Sequence, residues 1–336
     1  MGVPAAPTLS YDRCRIMRLS GVIRAAIVAS AAVVPLLASQ EGGQQPQPPV
    51  STGSPGIVYR SQSDLVLLHV SVFDRHHDAV QDLPESAFQV LEDGTPQKID
   101  FFVKGDVPVA VGLAIDDSSS MIARRKLVSA GVAAFGASSH EEDELFTIVF
   151  NERVRYGLPD GISFTRDRGL LHESLMRRPM GGRTALHDAV VEGLAHLEES
   201  TNQKRVLLVL SDGDDNASQQ SASNMLYRAS QSSALIYTVW TGDLISGPGN
   251  AKLLDRLATR NGGLAYKPKS DTDVVRAFTT IAANIRQGYS IGYVPTNLSA
   301  DGKYRKVKVL VRTRGRSLSV RARDGYTAPE NATASR

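Results

Sequence analysis

The sequence predicts an α/β fold: a doubly wound, mostly parallel sheet, flanked before and after by β-strand segments that together form one β-sandwich. Three observations carry this reading. Between about Val107 and Gln287, short apolar runs rich in β-branched residues alternate with segments of helical period. On either side, over 57–105 and 288–327, strand-like runs follow one another with no helix-length segment between them. Each flank alone is too small to make a comfortable sheet, so the two are expected to pack together with the α/β domain inserted. The bulk numbers agree: 336 residues suit about two domains, and 42% hydrophobic with 22% charged residues is ordinary for a globular protein.

The chain opens differently. Arg13, Arg15, Arg18 and Arg24 precede an apolar run from Ala25 to Ala38, and polar Gln40 and Glu41 follow. This is the pattern of a secretory signal peptide over 1–39, with Ala38 and Ser39 as small residues at the cleavage point; Met17 makes a more typical start than Met1. The run is too short for an ordinary membrane span, which leaves an uncleaved anchor as the alternative. The expectation is export, to the periplasm, the cell surface or the medium, with no stable transmembrane segment after cleavage. Four Arg against Asp12 in this leader account for the whole formal charge of +3, so the remainder is near neutral and gives no reason to propose nucleic acid as a partner. Cys14, the only cysteine, leaves with the leader and takes disulfide and thiol chemistry with it. Residues 40–56, rich in Gln, Gly, Pro and Ser, read as a flexible linker.

Folding is expected to start near Ile57. Leu65 to Phe73 is a strand, Asp74 to Asp78 a turn, Ala87 to Glu92 a strand ended by Asp93-Gly94, and Gln97 to Val103 a third strand of a small antiparallel unit. Val109 to Ile115 then opens the α/β domain, and Met121 to Ala137 is its first helix. Further strands are expected at Leu145 to Phe150, Val206 to Leu210, Leu235 to Trp240 and Leu264 to Tyr266. Helices are expected at Arg168 to Met176, Ala185 to Glu198, Ala222 to Ser230, Ala251 to Thr259 and Asp273 to Arg286. The C-terminal β unit comprises Tyr289 to Val294, Arg305 to Arg312 and Leu318 to Arg323, followed by a tail over 328–336.

In doubly wound sheets ligands bind beyond the carboxyl ends of the strands, which directs attention to three loops. These are Ala114-Ile115-Asp116-Asp117-Ser118-Ser119-Ser120-Met121, where the first strand hands over to its helix, Gly181-Gly182-Arg183-Thr184-Ala185, opening another helix, and Ser211-Asp212-Gly213-Asp214-Asp215-Asn216 after a central strand. Carboxylates and hydroxyls are oxygen donors suited to a hard cation. Alternate spacing aims Asp116, Ser118 and Ser120 at one point, and Thr184 and Asp212 can approach it from the neighbouring loops. An ion with few anionic ligands keeps positive charge and attracts an external carboxylate.

Together, the three motifs in this order resemble the metal-ion-dependent adhesion site of von Willebrand factor A (VWA) domains, over about Val107 to Gln287. The resemblance implies a VWA/Rossmann-like fold, and Mg²⁺ (or Mn²⁺ or Ca²⁺) held by Asp116, Ser118, Ser120, Thr184 and Asp212. It also implies a protein partner that supplies a carboxylate. Ser119 stands where the motif commonly has glycine, and Arg183 beside Thr184 is a further variation. Leu83 to Phe102, Tyr304 to Val309 and Arg323 to Tyr326 are similar to segments of a bacterial exported VWA-related family, which implies no particular activity.

The reading is therefore an exported, metal-dependent binding or adhesion module and not an enzyme. The alternatives are a metal-independent envelope assembly or scaffold protein and a metal-dependent hydrolase. His187 and Asp188 near serines suggest a hydrolytic triad, but no Gly-x-Ser-x-Gly elbow accompanies them. Asp116-Asp117 suggests phosphoryl transfer, yet a Walker loop is lacking. His76 and His77 read as solvated turn residues. Lys303, Arg305, Lys306, Lys308, Arg312, Arg314 and Arg316 form a basic ribbon whose simplest reading is a solvated face, with an anionic envelope component as a possible partner.

Overall fold

In a computed structural model the described residues are 65–76, 78–105, 107–176, 181–242, 249–313 and 315–330. The expected signal peptide and linker, His77, Arg314 and the last six residues lie outside them. All described residues belong to one compact unit, Tyr59–Arg336.

The N-terminal flank supplies β1 (Val66–Phe73), β2 (Phe88–Glu92), β3 (Thr95–Gln97) and β4 (Phe101–Lys104). Two of these replace the single strand expected over Gln97 to Val103. Gln97 is pinned at the end of β3 by a two-way bond with Thr296, at 3.0 and 2.9 Å. The Asp100 N–H donates to the Gly292 carbonyl. Between these anchors the chain crosses from one sheet to another, and the apolar pattern carries straight over the crossing. Nor do the four strands form a unit of their own: β1 and β4 flank a C-terminal strand, described below.

The α/β domain contains β5 (Val109–Asp116), β6 (Glu144–Phe150), β7 (Val154–Tyr156), β8 (Lys204–Ser211), β9 (Leu235–Trp240) and β10 (Ala265–Tyr266). Their order across the sheet is β10-β9-β8-β5-β6-β7, parallel except for β7 against β6. Helices α1 (Arg125–Ala137), α2 (Arg168–Met176), α3 (Leu186–Leu197), α4 (Ala222–Gln231), α5 (Gly249–Arg260) and α6 (Asp271–Arg286) cover both faces. Period-two alternation explains how: Val111 and Leu113 of β5 pack with Val128 of α1, Leu171 of α2 and Phe278 of α6. Ala110 and Ala114 point the other way, against the cluster of Leu186 in α3, Met225 in α4 and Leu254 in α5. A strand covered on both sides reads as an unbroken apolar run.

Two elements differ from expectation. The helix expected from Met121 begins as a 3-10 segment, Ser119–Arg124, and becomes α-helical at Arg125. Tighter i→i+3 bonds start it, with the Met121 N–H on the Ser118 carbonyl at 3.0 Å. The edge strand β7 was not expected, because three residues give no measurable alternation.

After α6 come β11 (Tyr289–Tyr293), β12 (Tyr304–Val311), β13 (Ser319–Arg321) and β14 (Gly325–Thr327). They complete two antiparallel sheets, β13-β1-β11-β4 and β14-β12-β2-β3, in which each sheet takes two strands from each flank. Leu68, Val70, Val90, Tyr289, Ile291 and Val307 share the core between them, the expected sandwich. Buried Glu92 ties the sheets, accepting from Tyr293 Oη at 2.7 Å and Tyr326 Oη at 2.9 Å. The inserted domain leaves and returns at one place, where Lys104 pairs with Tyr289 and the Gly105 N–H donates to Gly288 O. Among the described residues no helix is long and apolar enough to cross a membrane.

Candidate metal centre

The sheet order reverses between β5 and β8, and the loops after these two strands carry Asp116 and Asp212. This is the topological switch point of the sheet, the place where doubly wound sheets bind their ligands.

Asp116 ends β5 with its side chain fully buried. Its Oδ1 accepts the Ser118 N–H at 3.0 Å and its Oδ2 accepts the Ser211 hydroxyl at 2.6 Å. Burial pushes its pKa up to about 6 against these stabilising hydrogen bonds, and the charge of Asp212 pushes the same way. Ser118 is buried, Ser120 is exposed, and their hydroxyl oxygens stand 3.1 Å apart. Asp212, partly exposed, follows β8; its carbonyl is held by the Trp240 indole N–H at 2.7 Å. The carboxyl of Asp214 is also raised, first by desolvation and then by the charge of Asp212.

Thr184 is buried and its backbone is bonded to Asn216 and Ala217, beyond the Asp212 turn. Its N–H donates to Asn216 Oδ1 at 2.9 Å and its carbonyl accepts from the N–H groups of Asn216 and Ala217. Its hydroxyl makes no hydrogen bond to the other four residues. Direct contacts therefore unite Asp116, Ser118 and Ser120, and electrostatics adds Asp212, whereas Thr184 is bonded to Asn216 and Ala217 and to none of the four.

The first two loops clamp each other. The Ser119 N–H donates to Gly182 O at 3.1 Å, and the Gly182 N–H donates to Ser119 Oγ at 3.0 Å. Ser119 keeps a negative φ, so the turn makes no demand for the glycine common in the motif, and its hydroxyl adds a bond that glycine lacks. Gly182, by contrast, lies at φ +92°, and a Cβ there would stand 1.8 Å from Glu152 Oε2. The Arg183 guanidinium reaches over the third loop to Asn216 O at 3.2 Å. Sequence reasoning placed Ser211 and Asn216 in the third loop without giving either a role, and passed over Asn151, whose amide donates to Gly181 O at 2.9 Å. The loop was legible but the Ser211 bond to Asp116 and the Asn216 bond to Thr184 were not, and Asn151 gave no signal.

His187 does not assemble a hydrolytic triad. Its Nδ1 faces Gln220 O at 3.1 Å and Asp215 Oδ2 at 3.4 Å, while the Ser218 hydroxyl bonds that same carboxylate at 2.6 Å. The carboxylate thus lies between serine and imidazole, where a base would have to be.

Do these residues fit a hard divalent cation? Octahedral oxygens about 2.1 Å from an ion stand about 3.0 Å apart along an edge. The Ser118–Ser120 separation matches that edge. Asp116 retains lone pairs beyond its two bonds, and among the described residues the one charge acting on it is the repelling carboxylate of Asp212, a condition a cation relieves. Among the described residues no group of three or more His, Cys, Asp or Glu could hold a metal ion, so the hydroxyls are indispensable to the set.

A parallel sheet with one antiparallel edge strand, carrying the Asp-x-Ser-x-Ser, Thr and Ser-Asp-Gly loops in order at its switch point, decides the fold. The α/β domain is VWA-like. No protein-family model and no curated protein matches the sequence. Solved structures similar to the chain include a VWA protein from Catenulispora acidiphila, 13% identical, covering 82% of this chain and 77% of that one with a TM-score of 0.47. The conserved hypothetical protein BatB from Bacteroides thetaiotaomicron is 16% identical and covers 53% and 98%, with a TM-score of 0.43. The VWA domain of the type V pili tip protein Mfa5 from Porphyromonas gingivalis is 15% identical and covers 54% and 95%, with a TM-score of 0.45.

Proposed function

We propose that the chain is an exported, divalent-cation-dependent protein-binding module, not an enzyme, whose VWA-like domain presents a cation to an acidic group of its partner. The observation that carries this reading is the buried Asp116 carboxyl beside two hydroxyl oxygens spaced as an octahedral edge, at the sheet's switch point. Ser118, Ser120 and Thr184 are the neutral donors of the proposed site, and Asp116 and Asp212 the anionic ones. Mg²⁺, or Mn²⁺ or Ca²⁺, bound there would supply a positive centre with a coordination position for a carboxylate. Ser211 and the Ser118 N–H orient Asp116, and the Ser119–Gly182 clamp fixes the distance between the first two loops. Export rests on the leader pattern of residues 1–39 and places the partner in the periplasm, at the cell surface or in the medium.

A pull-down from the native cell envelope tests this, run with Mg²⁺ and with EDTA for wild type and Asp116→Ala. Proteins retained by wild type in Mg²⁺ should be lost in EDTA and with the variant. Equal capture under all four conditions would favour the metal-independent scaffold. Hydrolysis of an ester or phosphoester that disappears with Asp116→Ala would favour the enzyme.

A further inference from the structure

We propose that a second cavity, between the start of β8, the start of β1 and the loop after β11, binds the chain-terminal carboxylate of a peptide. It lies at the opposite end of β8 from the loop that carries Asp212, and the inference does not depend on the metal reading. The cavity measures ≈ 660 Å³, within the range of ligand pockets.

Its charge is one-sided. Arg205 and Arg323 line it, and among the described residues no carboxylate does. Arg205 spends its Nη2 on Ser200 O at 3.1 Å, while its Nε is buried without a hydrogen-bond partner. A buried donor left without an acceptor is unfavourable until something accepts from it. Arg323 is 9% exposed and donates only to the carbonyls of Gly325 and Ser230, both at 2.7 Å. Carbonyl oxygens satisfy hydrogens of the guanidinium and the Tyr326 ring lies 6.0 Å from it, but among the described residues no carboxylate pairs with its charge. Burial accordingly draws its pKa down from 12.5 to about 10. Two guanidinium groups opposite an empty volume are the donor set for a carboxylate.

The rest of the lining selects a peptide over a simple amphiphile. Gln203, Gln231 and Asn297 each carry an amide that both donates and accepts, as successive peptide groups require. An acyl chain would be better served by walls without amides. Two leucines, Leu65 and Leu298, also line the cavity and are 37% and 66% exposed, which is unusual for large apolar residues and suits an apolar side chain near the peptide terminus.

Calorimetric titration with acetyl-Ala-Ala-Leu tests the proposal, comparing the free acid with its C-terminal amide up to ~1 mM. The free acid should bind, equally in Mg²⁺ and EDTA, and amidation should weaken binding at least tenfold. Arg205→Gln should cost at least tenfold; Leu298→Ser, a surface change that spares the fold should Arg205→Gln disturb it, should cost severalfold. Equal binding of acid and amide, no binding by either, or insensitivity to Leu298→Ser would overturn the assignment. Binding of dodecanoate with loss in Arg205→Gln, where the peptide does not bind, would overturn it in favour of a lipid-like anion.

Discussion

Asp116 illustrates what a single residue type cannot say alone. Its position after an apolar strand was legible, because a carboxylate ending a buried run needs a reason; the Ser211 hydroxyl that holds it was not, since serine before aspartate is common in turns. Ser119 likewise turns from a departure from the motif into a clamp once its two bonds to Gly182 are known. Gly182→Ala should therefore lower stability by about 1–2 kcal/mol, through a positive φ and a collision with Glu152, as urea denaturation would read. His69 offers a test far from the loops. Buried between β-strands with its Nδ1 3.2 Å from Ser290 Oγ, it has its pKa pushed down to about 3, first by desolvation and then by Lys204 and Arg323. The neutral ring is the folded form, so its contribution is fully present above the ordinary 6.5 and is lost as pH falls from there toward about 3. Unfolding free energy should fall as the pH drops through that window, and His69→Gln should flatten the slope.

At the scale of elements, strands and helices with covered faces were legible and short or shared ones were not. The strand Leu235–Trp240 and the helix Arg168–Met176 match the sequence expectation at both ends, because their periodicity spans the whole element. The β3–β4 crossing escaped notice because strand-forming residues continue through a change of sheet, which side chains of Thr296 and backbone of Gly292 decide from afar. Tertiary context also sets the 3-10 segment, whose helical period is indistinguishable from a regular first turn. Close packing of α1 on α6 gives a prediction: a Cβ on Gly131 would stand 2.6 Å from the Phe278 ring. Gly131→Ala gains helix propensity of about 1 kcal/mol but overpacks the contact at about 1–3 kcal/mol, so thermal unfolding should fall or stay level and not rise.

For the whole molecule, the inserted topology was inferable from the smallness of each flank, while the pairing of β1 with β11 needed the structure. Two sheets that each borrow strands from both ends of the chain cannot open by halves. Amides of β1 and β11 should consequently exchange with one opening free energy under native conditions, and clearly different values would contradict a shared sandwich. The central claim is that three loops, distant in sequence and gathered at one switch point, hold a cation. It is tested most directly by thermal unfolding in excess Mg²⁺ against EDTA, for wild type and Asp116→Ala. Wild type should be stabilised by about 2.7 kcal/mol at one hundred times its dissociation constant, with no change for a variant that stays folded in EDTA. Identical unfolding of wild type in Mg²⁺, Mn²⁺, Ca²⁺ and EDTA would contradict it.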